Sequence, residues 1–186
     1  LEFVSSKEGA IIHYSLDGST PDRNSPLFSV EIAITESTLV KAIAYWKNGE
    51  SSRVSEFQLE KTKAMPAVSA NPSPGLKYDF FTGAWEKLPE FEQLYTDRSG
   101  TSSKLDLSPA HGLTQDFALH FKAFLNVPST DVYIFHVSSD DGGRLIIDGR
   151  ELVNYDGIHG MGVKKAPVAL ERGFHPIEFL YFQHLG

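Results

Sequence analysis

Cysteine is absent from all 186 residues. Its absence removes disulfides, thiol nucleophiles and Cys-based zinc sites, and it suits the cytosol and a Gram-negative envelope alike. Positive charge is scarce: 17 Lys and Arg stand against 24 Asp and Glu, a formal net charge of −7. No basic cluster interrupts that balance, so nucleic acid is not an expected partner. No apolar run approaches the roughly 20 residues of a membrane helix, and no signal peptide opens the sequence. Membrane insertion is therefore not expected. The sequence also has no Gly-x-Ser-x-Gly elbow, no P-loop and no His-Glu-x-x-His. Its seven histidines form no pair at i, i+2 or i, i+4 spacing.

Helical periodicity is also hard to find, and alternation takes its place. Phe117, Leu119, Phe121, Ala123 and Leu125 fall on one face of a period-two run, with Ala118, His120, Lys122 and Phe124 on the other. Tyr133, Phe135 and Val137 alternate likewise, as do Ile177, Phe179 and Tyr181, and Leu145 to Ile147 form a short apolar run. Asp141-Gly142, Asp148-Gly149 and Asp156-Gly157 supply turn signals between these runs. Short strands punctuated in this way predict an all-β sandwich or barrel. The first 60 residues repeat the logic with "AIIHYSL", "TLVKAIAYW" and "SRVSEFQLE" as strands, which predicts a small immunoglobulin-like sandwich.

The stretch "KTKAMPAVSANPSPG" is the part richest in Pro and Ser, and three prolines there favour extended chain. The domains are accordingly 1–61, a linker over 62–74, and 75–186. "LEFVSSKEG" already has the pattern of mid-strand, so the chain is expected to be a piece of a longer protein.

Two resemblances attach to these halves. Tyr14, Leu16, Asp17, Gly18, Ser19, Pro21, Ser25, Leu27, Lys41, Ala42, Gly49 and Ser52 resemble the small C-terminal domain of chitobiases and β-N-acetylhexosaminidases. In the second half "GLKYDFFTGAWEKLP", "HVSSDDGGRLIIDGRELVNYDGIHG" and the set Leu170, Gly173, His175, Ile177, Tyr181 and Phe182 resemble the PA14 domain, a β-sandwich module. That resemblance implies at least one strand beyond Gly186. Together they resemble the C-terminal region of a secreted family 20 β-N-acetylhexosaminidase whose N-terminal catalytic barrel lies outside this sequence. Such enzymes use an adjacent Asp-Glu pair, and none occurs here. No catalysis is expected of this chain.

The remaining question is what "SSDDGG" does. Adjacent carboxylates repel, and hard oxygen ligands in a turn suit Ca²⁺, which takes six to eight of them. In sugar-binding PA14 adhesins the matching Asp-Asp pair, often joined by a cis peptide, holds a calcium that coordinates sugar hydroxyls. By resemblance, Asp140 and Asp141 with Asn154 and Asp156 from the later loop are candidate calcium ligands. His159, Tyr155 and Trp85 are candidate sugar contacts, and Tyr95 and Trp46 are further possible stacking faces. The competing reading gives these aspartates to turns, capping backbone N–H groups. The resemblances imply an accessory region that binds or positions glycan containing N-acetylhexosamine, outside the cell, in the periplasm or on a bacterial surface. The alternatives are bracing of the catalytic barrel, and an adhesion module.

Overall fold

The computed structural model describes residues 1–185 and divides the chain into two units, Leu1–Thr62 and Lys63–Gly186. Strand accounts for 46% and helix for 3%, so the all-β expectation holds. No helix among the described residues is long and apolar enough to cross a membrane.

The first unit is an antiparallel sheet in the order β1-β2-β3, from Ile11–Ser15, Thr38–Tyr45 and Ser55–Leu59. These are the three runs where apolar residues alternate, and the central β2 buries Val40 and Ala42. An extended segment pairs with the outer side of β1 through Tyr14 N–H to the Pro26 carbonyl and Phe28 N–H to the Ile12 carbonyl. Phe3 then packs edge-on against Phe28. Asp17 is a turn residue: its carboxylate accepts from the Ser19 N–H and hydroxyl, ahead of Gly18 at φ +79°.

The second unit contains eight strands: β4 Leu76–Thr82, β5 Arg98–Ser102, β6 Phe117–Val127, β7 Asp131–Ser139, β8 Gly143–Ile147, β9 Arg150–Tyr155, β10 Gly162–Leu170 and β11 Gly173–Gln183. Six form one sheet in the order β5-β4-β6-β11-β8-β9, and β10 and β7 form a second of two strands. The predicted alternation is the reason for the layering. Phe117, Leu119 and Phe121 of β6 and Tyr181 of β11 turn inward with Phe80, while Val137 of β7 and Val168 and Leu170 of β10 close over Leu145, Ile147 and Val153.

The other face of β6 is covered at its start and open at Lys122 and Phe124. Ala118 is fully enclosed, because Phe81, Phe91 and Phe182 gather on the outer side of the sheet, with Trp85 and Leu88 from the β4–β5 connection packed against them. The stretch expected as linker takes part in this unit too. Met65 N–H donates to the Ala169 carbonyl, Glu171 N–H to the Met65 carbonyl, and Val68 N–H to the Phe174 carbonyl. Proline removes a donor only at its own position, so the residues between prolines remain able to pair.

Candidate functional site

The β7–β8 turn holds Asp140 and Asp141, and the peptide bond between them is cis. The two carboxylates part company. Asp141 is 1% exposed, and its Oδ1 accepts the His159 N–H at 3.1 Å while Oδ2 accepts the His184 N–H at 2.7 Å. Those donors belong to the β9–β10 loop and to the end of β11, so one buried carboxylate ties three segments together. Asp140 uses its backbone carbonyl instead, which accepts the Tyr181 hydroxyl. Its carboxylate takes no hydrogen bond among the described residues, and Asp140 is one of the residues lining a cleft. Burial, and then the charges of Asp140 and Asp141, push the Tyr181 phenol above its ordinary range, so Tyr181 stays a neutral donor.

Asp156 is committed in the same way as Asp141. Its Oδ1 accepts the Leu88 N–H at 2.7 Å and the Gly157 N–H at 2.8 Å, and its Oδ2 faces the Arg144 guanidinium at 3.5 Å. Arg144 also pairs with Glu151 at 3.2 Å. The amide of Asn154 donates to Glu151 through Nδ2, and its Oδ1 accepts the Asp156 N–H. Gly142 is required where these loops converge, since a Cβ there would collide with the Phe182 ring and lie 3.2 Å from Asp156 Oδ1.

In this arrangement the acidic side chains serve protein donors. Both oxygens of Asp141 and one of Asp156 already serve backbone N–H groups, and Arg144 supplies the positive charge beside Asp156. Among the described residues no three His, Cys, Asp or Glu side chains converge as a metal would need. Millimolar calcium is therefore expected to move the thermal midpoint of this chain by less than about 1 °C, and a chelator to do no more. A calcium-dependent rise that Asp140→Ala removes would show that the loop opens to receive the ion.

The aromatic candidates separate too. Tyr155 and His159 stack with centroids 3.7 Å apart and planes 13° apart, and Lys164 lies 4.7 Å from the Tyr155 ring centre. His159 is locked: Nδ1 faces the Gly160 carbonyl at 3.0 Å and Nε2 the Tyr155 carbonyl at 3.1 Å. Trp85 is a packing residue against the outer core, and Trp46 lies half-buried in the first unit. Tyr95 alone is a free ring, 90% exposed.

Sequence reasoning missed a second buried polar cluster. His175 is wholly buried, with Nδ1 2.7 Å from Asp148 Oδ2 and Nε2 2.8 Å from the Glu171 carbonyl. Asp148 does occupy the predicted β8–β9 hairpin turn, at φ +51° with Gly149 at +74°. Its side chain, however, reaches across to β11. Nothing in the sequence local to either residue shows the contact. Arg144 was likewise invisible, because its partner lies twelve residues away across a hairpin.

These features define a β-sandwich module whose acidic loop cluster is mostly internal scaffolding. Residues 72–186 match the PA14 domain model, and the chain belongs to that family, a non-catalytic module. Residues 1–59 match the Fn3-associated model. Among solved structures the chain is similar to the PA14 domain of the MpAFP antifreeze protein, with 14% identity over 63% of this chain and 82% of that one and a TM-score of 0.48. It is also similar to an anti-sigma factor domain-containing protein from Clostridium clariflavum, with 18% identity, 94% and 70% coverage and a TM-score of 0.48. A GH31 alpha-xylosidase from Xanthomonas citri aligns with 97% of this chain and 21% of its own length, at 10% identity and a TM-score of 0.45. The comparison with curated proteins finds no match.

Proposed function

We propose that this chain is a non-catalytic accessory region of a secreted glycoside hydrolase resembling β-N-acetylhexosaminidase, and that its PA14 domain holds glycan at the β7–β8 and β9–β10 loops, through Asp140 and His159. PA14 domains commonly bind carbohydrate, which supports the class of partner. The observation that carries the reading is the division of labour between the two aspartates. Asp141 commits its carboxylate to holding the loops, whereas the Asp140 carboxylate takes no hydrogen bond among the described residues. Tyr155 covers one face of the His159 ring, two carbonyls face its nitrogens, and the residue is half-buried. A flat apolar face next to a charged acceptor is what a sugar ring with its hydroxyls requires.

Glycan-array binding of the folded chain tests this, with N-acetylhexosamine oligomers as the first ligands. Asp140→Ala and His159→Ala are each expected to weaken binding roughly tenfold, the worth of one hydrogen bond to a charged group or one stacking contact. A flat array from folded protein favours the second reading, in which the domain braces a catalytic barrel. That reading draws on Asp141 and Asp156 both serving backbone N–H groups of neighbouring loops.

A further inference from the structure

The outer face of the six-stranded sheet gathers charges that lie far apart in the sequence. Lys77 of β4 is directly opposite Lys122 of β6, and Lys122 in turn is opposite Glu178 of β11. Opposite residues of antiparallel strands share a face, so these three form one row. In the neighbouring row Phe124 is opposite Pro176. All five line a pocket of about 490 Å³, which the segment from Pro72 to Gly75 also borders. The strands beneath it are interior ones: β4, β6 and β11 each have a hydrogen-bonded neighbour on both sides, so no further strand can pair with them here.

The row of charge is incomplete. Like charges placed directly opposite each other destabilise a sheet, and neither Lys77 nor Lys122 is ion-paired among the described residues. Glu178 is directed to His120 instead, with its Oε2 2.6 Å from the His120 Nε2. Two unpaired cations therefore stand together on a chain whose formal net charge is −7. Next to them Phe124 is 43% exposed, a large apolar ring on a sheet surface. Ser73 and Thr101 add hydroxyls to the lining. The volume falls in the range of small-molecule sites, about 300 to 1,000 Å³.

We propose that this pocket binds an acidic sugar, a pyranose ring that carries a carboxylate, as a uronic acid does. The two lysines take the carboxylate through charge-assisted hydrogen bonds, and its charge relieves their repulsion. Phe124 and Pro176 receive the apolar C–H face of the ring. Ser73, Thr101 and the Glu178 carboxylate meet its hydroxyls. A neutral sugar leaves the lysine pair without a counter-charge, so the site selects by charge. It shares no residue with the loops of Asp140 and His159, and it goes beyond the glycan reading proposed for them.

The test titrates the isotope-labelled 186-residue chain with trigalacturonate and follows the amide chemical shifts. Saturable shifts are expected at Lys77, Lys122 and Phe124. The fully methyl-esterified trisaccharide offers the same rings without the charge, and its affinity is expected to be about tenfold lower, the difference that one charge-assisted hydrogen bond makes. Lys122→Met is expected to weaken trigalacturonate by about as much, Lys122→Arg to retain it, and Phe124→Ala to weaken acid and ester alike. Equal affinity for acid and ester, full affinity in Lys122→Met, or shifts confined to other strands would each overturn the proposal. So would inorganic phosphate that moves the same amides with the same affinity, which would leave an anion contact without sugar specificity. Neutral oligomers on the glycan array report on Asp140 and His159, so the two readings fail separately.

Discussion

Replacing Asp141 by alanine is expected to destabilise the second unit by about 3 kcal/mol, whereas the same change at Asp140 costs under about 1 kcal/mol. The sequence presents the two as equivalent neighbours, and only their surroundings distinguish them. Asp141→Ala strands two backbone donors, the His159 and His184 N–H groups, beside an emptied buried site. Each unsatisfied group costs roughly 1 to 3 kcal/mol. Asp140→Ala removes a half-buried carboxylate with no bonded partner among the described residues, and it leaves the carbonyl that receives Tyr181. Asp141→Asn falls between, since its amide nitrogen cannot accept from either donor. Trp85 is the one tryptophan of the second unit, so its fluorescence in a Trp46→Phe background follows that unit alone. A drop of roughly 10 °C for Asp141→Ala, against a few degrees at most for Asp140→Ala, is the expected pattern. Equal shifts for the two alanine variants would refute the division.

The second large effect is on pH dependence. Burial by itself would lower the His175 pKa, but the Asp148 carboxylate and the Glu171 carbonyl outweigh it, and the net shift is upward from the ordinary 6.5. Both ring nitrogens face acceptors, which suits the imidazolium with its two donors. Between pH 6.5 and the raised value the folded chain holds a proton that the unfolded chain has released. Stability from this group is therefore complete below about 6.5 and is lost as pH rises through the folded-state pKa.

His120 has the opposite sign. Burial depresses its pKa more than Glu178 restores it, so its contribution grows as pH rises towards 6.5. The unfolding free energy of the second unit is expected to rise towards about pH 6.5 and to fall above it. Asp148→Asn should flatten the alkaline limb and leave the acid limb in place. An unchanged alkaline slope in that variant would remove His175 and Asp148 from the explanation.

The strands were legible because each depends on a pattern only two residues long. Phe117 to Leu125 and Tyr133 to Val137 had to present one apolar face wherever they lay, and β6 and β7 do so. The hairpin at Asp148-Gly149 was equally local, fixed by a tolerance for positive φ. Other features were less accessible. The expected linker pairs with the second unit at Met65 and Val68, partners that lie some hundred residues onward in the chain. Trp85 had the composition of a sugar platform and is instead packed against Phe81, Phe91, Ala118 and Phe182.

The acidic loop divides along the same line. By itself the sequence determined an all-β chain in two parts, the positions of its turns, and a knot of oxygen-bearing side chains between β7 and β10. Tertiary structure alone decided what those oxygens face. A carboxylate's role depends on which donors reach it first, and for Asp141 and Asp156 these are the N–H groups of His159, His184 and Leu88 and the guanidinium of Arg144. All four come from other segments of the folded unit, and a local pattern holds no record of them. Asp140, one residue away, lines the cleft and offers its backbone carbonyl to Tyr181, and among the described residues its carboxylate takes no hydrogen bond.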